Sequence, residues 1–379
     1  MTNDPINLFE FEPLAKASLS KAEYDFIAGG ATDEITLRRT RAAFDSIMLR
    51  PRMLTDVGQR DLKTTVQGNT ISLPVLMDPA GDHARAHPDA ELATVRAAAN
   101  AGTVMALSSG STYTLEQVAE TASGPLWFQS YFFRDRELTL EFANRAEEAG
   151  YSALVVTVDA KVQPKRERNI RNRYSGRPSV NYSHLNLGPQ TWTFGADAPT
   201  ALNDIRDPAA TWADLEWLSS STKLPLIIKG IMTGEDGLLC ANYGAKGLIV
   251  SNHGARNLDS TFATIEVLPE IADAVDQRLE IYLDGGIRRG TDIFKAIALG
   301  ARAVLIGRPI FWGLAVGGEA GVTKVLNILR DELDSTMAFC GTPDTDSINR
   351  SYIGMSSPLL SALAPERLLE NPTSQPKDI

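Results

Sequence analysis

Short apolar, β-branched runs recur along the chain, each closed by Gly, Pro, Ser, Asn or Asp. Most are followed by a stretch in which apolar residues return every three or four positions. Eight such runs occur, over residues 73–79, 103–109, 126–131, 153–159, 224–230, 247–252, 280–286 and 303–309. The intervening segments, such as AELATVRAAANAG and TDIFKAIALGA, end in Gly or Gly-Ala, a common helix stop. Near-continuous apolar strands alternating with helices predict an α/β fold, a closed (β/α)8 TIM barrel over about residues 73–340. An open doubly wound sheet carries similar local signals.

The spacing breaks once, after the fourth strand. The segment from about 173 to 210 is rich in Gly, Pro, Asn and Ser with weak periodicity, and is predicted to be a lid over the active face. Residues 1 to about 50 predict a helical segment ahead of the barrel, with a cap in Ser18-Leu19-Ser20-Lys21-Ala22-Glu23. The whole chain, 1–379, reads as a single domain.

With 43% hydrophobic and 22% charged residues the composition is that of a soluble globular protein. A net charge of -10 provides no overall basic field, so neither nucleic acid nor an anionic membrane is an expected partner. Cys240 and Cys340 form neither a disulfide framework nor a metal-binding pattern, and no metal is expected. The acidic N-terminus lacks signal-peptide order, no apolar run approaches ~20 residues, and the C-terminus lacks Ser-Lys-Leu. The cytoplasm is the expected location.

In a β/α barrel the chemistry gathers where strands end, so the polar residues closing each run are the candidates. They are Gln129 and Tyr131, Thr157 and Asp159, Lys229, then Ser251 through Arg256, Asp284-Gly285-Gly286-Ile287-Arg288, and Gly307-Arg308. The last two groups predict a phosphate site: glycine lets backbone N–H groups approach and arginine adds charge-assisted bonds. Neither a GxGxxG after a strand nor a GxxxxGK[ST] is present. Of four histidines, His253 stands at a strand end near Arg256. It is the candidate general base, with Asp159 as the anion that orients it.

The blocks SNHGARNLD, YLDGGIRRGTDIFKAIALGA, LIGRP, IIKG and VVTVDAKVQPKRERNIRNRY resemble the FMN-dependent 2-hydroxy acid oxidases and dehydrogenases. The likeness runs from about Tyr24 to about Ile353. It implies FMN as cofactor, a small 2-hydroxy acid as substrate, O2 or another electron acceptor, and a homo-oligomer, often a tetramer. By resemblance His253 is the base and Asp159 stabilises its protonated form. Arg166 and Arg256 grip the substrate carboxylate with the hydroxyls of Tyr24 and Tyr131. Ser108, Gln129, Thr157 and Ser251 belong to the flavin's surroundings, Lys229 faces its N1/O2 edge, and the backbone of Pro79, Ala80 and Gly81 approaches its N5 side. Asp284 holds the ribityl chain, while Gly285, Gly286, Arg288, Gly307 and Arg308 surround the phosphate.

The chain departs from that pattern at Asp78, Asp82 and His83, where the first strand ends in Met-Asp-Pro-Ala-Gly-Asp-His instead of an Ala-Pro-Thr type sequence. Gly81 and Gly110 replace larger residues of glycolate oxidase, which predicts a roomier pocket and a larger or aromatic, mandelate-like substrate. Three alternatives stay open from sequence: a quinone-linked dehydrogenase, a flavin-dependent isopentenyl diphosphate isomerase, and an FMN-binding homologue without turnover.

Overall fold

In the computed structural model, which describes residues 4–177, 179–185, 187, 190–191 and 205–355, eight strands close into one parallel barrel. They are β1 (Val75–Met77), β2 (Met105–Ser108), β3 (Leu126–Ser130), β4 (Ala153–Thr157), β5 (Leu226–Ile231), β6 (Gly247–Val250), β7 (Glu280–Leu283) and β8 (Ala303–Ile306). Pairing of Val304, Leu305 and Ile306 with Val75, Leu76 and Met77 closes the ring. All but β5 stop short of the predicted runs, because the last residues of each run leave the ladder for the rim.

Alternation along each strand separates two cores. Val75 and Met77 face outward to the helices, whereas Leu76 joins Trp127, Tyr282 and Leu305 in the barrel interior. Trp127 and Tyr282 meet edge to face with centroids 5.2 Å apart. A hairpin that periodicity did not reveal, Thr64–Val66 with Asn69–Ile71, adds Val66 and Ile71 to this interior. Its turn is pinned by Gln67 N donating to Glu280 at 2.9 Å. Glu280 opens β7, so the hairpin seals the N-terminal end and the opposite face is left for chemistry.

Nine helices follow the barrel course among the described residues: α4 (Ala90–Asn100), α5 (Leu115–Thr121), α6 (Arg136–Glu148), α7 (Glu167–Arg171), α8 (Trp212–Ser221), α9 (Gly234–Asn242), α10 (Thr264–Val275), α11 (Gly290–Ala298) and α12 (Arg308–Cys340). Ahead of them stand α1 (Leu8–Ser18), α2 (Lys21–Ala28) and α3 (Ile35–Asp45). Ser20 caps α2 by accepting from Glu23 N, as predicted. The C-terminal end of α2 reaches over the barrel rim, where guanidinium groups of Arg256 and Arg308 bind its last carbonyls. Cations at a helix C-terminus are favoured by the helix dipole.

Part of the predicted lid is anchored on the same face. Ser179 Oγ donates to Ser109 O at 2.8 Å and Asn181 donates to Ser111 Oγ at 2.9 Å. The rest of that prediction, residues 178, 186, 188–189 and 192–204, lies outside the described residues. Among the described residues no helix is long and apolar enough to cross a membrane.

Candidate active site

After β6 the chain makes a turn in which His253, Gly254 and Ala255 all take positive φ, at 57°, 62° and 61°. For the two non-glycine residues this backbone costs about 1–2 kcal/mol each, and such strain persists only where surrounding bonds impose it. Here they do. His253 N donates to Ser251 Oγ, Ala255 N donates to Asn252 Oδ1, and Ala31 N donates to Ala255 O. The result projects the His253 imidazole into a cavity of about 260 Å³ at the C-terminal face.

Asp159, just past the end of β4, holds His253 Nδ1 at 2.9 Å and so leaves Nε2 to the cavity. Burial pushes the His253 pKa below the usual histidine value, Asp159 opposes that, and Lys229 and Arg166 add to it. For Asp159, burial raises the pKa, but His253 and Lys229 outweigh it and keep the carboxylate ionised. A neutral imidazole beside a fixed anion is the state a general base needs.

Arg166 and Arg256 line the same cavity. Arg166 donates to Arg256 O at 3.0 Å and to Asn257 Oδ1 at 3.2 Å, which locks its stem. Burial pushes its pKa down to about 9, with Arg206, Arg308 and Arg85 lowering it further. Arg256 bonds carbonyls of Phe26, Ile27 and Gly29 through Nη1. Two guanidinium groups converging beside an imidazole and the Tyr131 ring form a carboxylate-binding arrangement.

The other end of the cavity is built for a larger anion. Gly285 and Gly286 follow β7 with φ of 88° and 89°, and Arg288 and Arg308 lie beside them with only backbone carbonyls as hydrogen-bond acceptors among the described residues. Between the two ends, Ser108, Gln129, Thr157 and Lys229 form a polar wall on neighbouring strands, with Ser108 Oγ donating to Gln129 Oε1 at 3.0 Å. Asp284 Oδ1 is buried with no hydrogen-bond partner among the described residues. A phosphate cradle, an orphaned carboxylate oxygen and a row of ring-edge donors and acceptors fit FMN.

Lys229 is surrounded by acid. It bonds Asp284 and Ser251 Oγ, and Asp78 Oδ1 lies 3.7 Å from its ammonium. Burial alone lowers the lysine pKa, but Asp284, Asp78 and Asp159 together raise it and keep it charged. Asp78 goes the other way: burial pushes it up to about 7 against the pull of Lys229.

The structure corrects the sequence at three places. Tyr24 does not reach the cavity; its hydroxyl donates to Glu12 and its ring stacks on Trp312. Two residues apart on a helix means about 200° of rotation, so on α2 it is Phe26 that lines the cavity, without a hydroxyl. Ser251 also stands behind the wall, fully buried, donating to Asp284. Gly81 vacates less room than expected, because a Cβ there would sit 3.0 Å from Gly110 O; Gly110 has only ordinary contacts. Of the unusual first-strand residues, Asp82 pairs with Arg85 at 2.8 Å, and His83 turns away toward Thr94 and Phe311.

The model of the FMN-dependent dehydrogenase family matches residues 15–355. The chain belongs to that family. It is 48% identical to an L-lactate oxidase of Nostoc sp. strain PCC 7120, over 93% of this chain and 98% of the relative. It is 45% identical to glycolate oxidase 3 of Arabidopsis thaliana, over 92% and 95%. Among solved structures, mandelate oxidase with (S)-4-hydroxymandelic acid superposes with a TM-score of 0.87 at 35% identity, covering 93% of this chain and 99% of that one. FMN is its cofactor, and its chemistry is that of an oxidoreductase acting on CH–OH.

Proposed function

We propose that this enzyme oxidises an (S)-2-hydroxy acid larger than glycolate to the 2-oxo acid, with O2 as terminal acceptor and H2O2 as product. The observation that carries it is the His253–Asp159 pair opening onto Arg166 and Arg256 in one cavity. The substrate carboxylate sits between the two guanidinium groups, and Tyr131 adds a hydroxyl. His253 Nε2 accepts the proton released from the substrate, and Asp159 offsets the imidazolium charge. Ser108, Gln129, Thr157 and Lys229 hold the flavin ring, Asp284 the ribityl chain, and Gly285, Gly286, Arg288, Gly307 and Arg308 the phosphate. Bound FMN would supply the acceptor for the two electrons and for the second of the two protons that leave the substrate.

The oxidase names of the relatives support O2 as acceptor. The missing side chain at Gly110, where a Cβ would meet only ordinary contacts, and the mandelate oxidase likeness support a larger side chain, mandelate being the reference acid. The test is anaerobic bleaching of the bound flavin by glycolate, L-lactate and (S)-mandelate, followed by oxygen consumption. Preference for glycolate, or reoxidation by quinone but not O2, refutes the corresponding part.

Asp78 adds a further expectation. Its negative charge partly cancels Lys229 beside the flavin, so Asp78→Asn raises the flavin midpoint potential. Asp78 ionises near pH 7. Above that pH its charge opposes reduction in the wild type, so the increase grows from pH 6 to pH 8. Dye-equilibrated reductive titration at both pH values measures it; equal potentials contradict the charge argument.

A further inference from the structure

The proposed chemistry gives Arg206 no task. Arg206 lines the same space as His253, Arg166 and Arg256, yet binds neither phosphate nor the catalytic pair. Its backbone is held against the extension of β3: it bridges to Phe133, Arg134 N donates to Ile205 O at 2.8 Å, and Asp207 N donates to Phe132 O at 2.9 Å. The guanidinium carbon lies 3.6 Å over the Tyr131 ring. That stacking fixes the plane of the fork without using its N–H groups.

One of those N–H groups is unspent among the described residues. Arg206 Nε is buried with no hydrogen-bond partner. The adjacent Asp207 is engaged by Arg136 at 2.6 Å, and among the described residues no carboxylate stands within ion-pair distance of Arg206. An unsatisfied buried donor is costly, more so on a charged group, and one kept in a ligand cavity is explained by a ligand that supplies the acceptor.

Charge balance at this end of the cavity points the same way. His253 faces Asp159, and Arg85 is offset by Asp82 and Glu23. Arg206 has no such offset among the described residues, and its charge lowers the pKa of Arg166, so the two cations stand near each other. One substrate carboxylate answers Arg166 and Arg256. The remaining wall is polar where Gln163 joins Arg206, and carries no side chain at Gly110. A hydrocarbon ring gains little from such a wall, whereas a second acid group meets a preset fork.

We propose that Arg206 is a specificity-determining residue that binds a second carboxylate, so that the preferred substrate is a four- or five-carbon 2-hydroxy dicarboxylate. This rests on the 2-hydroxy acid oxidation proposed above. The reacting carbon and the His253 step are unchanged; only the far end of the substrate is newly recognised.

The test uses the FMN-loaded enzyme and anaerobic stopped-flow bleaching by (S)-malate, (S)-2-hydroxyglutarate, L-lactate, glycolate and (S)-mandelate. The wild type is expected to show its highest kcat/KM with one of the two dicarboxylates. Arg206→Leu is expected to lower the ratio of dicarboxylate to L-lactate kcat/KM by about 100-fold, mostly through KM, because the lost bond is remote from C2. Arg206→Lys, which keeps the charge without the fork, is expected to recover part of it. Arg206→Gln serves the same comparison if the leucine variant does not fold. Two results overturn the proposal: a wild type that prefers a monocarboxylate, or Arg206 variants that slow mono- and dicarboxylates equally, which would assign Arg206 to Tyr131 instead. No bleaching by any 2-hydroxy acid refutes the underlying oxidation, a result distinct from bleaching by monocarboxylates alone.

Discussion

His253→Ala lowers kcat/KM by about 10³ to 10⁴, within the range a positioned general base contributes, while the purified protein keeps its flavin spectrum. The prediction follows from geometry. Nδ1 is committed to Asp159 at 2.9 Å, and Nε2 is left as a proton acceptor in the cavity that Arg166 and Arg256 line. In the wild type the acid limb of kcat/KM lies below the ordinary histidine value of 6.5, because burial and the cations Lys229 and Arg166 outweigh the help of Asp159. The sign is then fixed for a companion variant. Asp159 raises the histidine pKa, so Asp159→Asn moves the acid limb to lower pH while reducing the maximal rate, since the imidazolium has lost its counter-charge. A limb that stays in place with full activity contradicts the pairing.

Arg166→Met raises KM and lowers kcat/KM by about 10³, the loss anticipated when one partner of a buried carboxylate pair is removed. Arg166→Lys recovers little, because a point charge does not reproduce the fork. Arg256→Met has a second effect that separates the two residues. Arg256 also binds the carbonyls of Phe26, Ile27 and Gly29, so its loss frees the end of α2 and lowers Tm, whereas Arg166 bonds Arg256 O and Asn257 Oδ1. Steady-state kinetics with thermal melts of the same preparations check both.

These expectations depend on residues of unequal legibility in the sequence. His253, Asp159, Lys229 and the Gly-Arg pairs could be read directly, because a strand end in a β/α barrel has a known destination and each of them follows an apolar run. Tyr24 could not be placed that way. Helix α2 offers Tyr24 and Phe26 two residues apart, and only packing against Trp312 decides which ring turns outward from the cavity. Arg206 was hidden for another reason: it follows a long segment without periodicity, and its position comes from bridging to Phe133, more than seventy residues away. The plug hairpin escaped because its strands are three residues each, too short for a period to show.

What the chain determines locally is therefore the number and order of strand–helix units and the polar residues that end at one rim, among them the Gly-Arg pairs, His253 and Asp159, since apolar periodicity and terminal polar residues are properties of short segments. What only the tertiary structure decided is the composition of the cavity wall. Asp78 meets Lys229 across the closed ring, Gly81 is pressed against Gly110, Phe26 stands where a phenol was expected, and Arg206 lies over Tyr131. Each of these is a contact between distant segments, and closure of the barrel, not any local preference, brings them together.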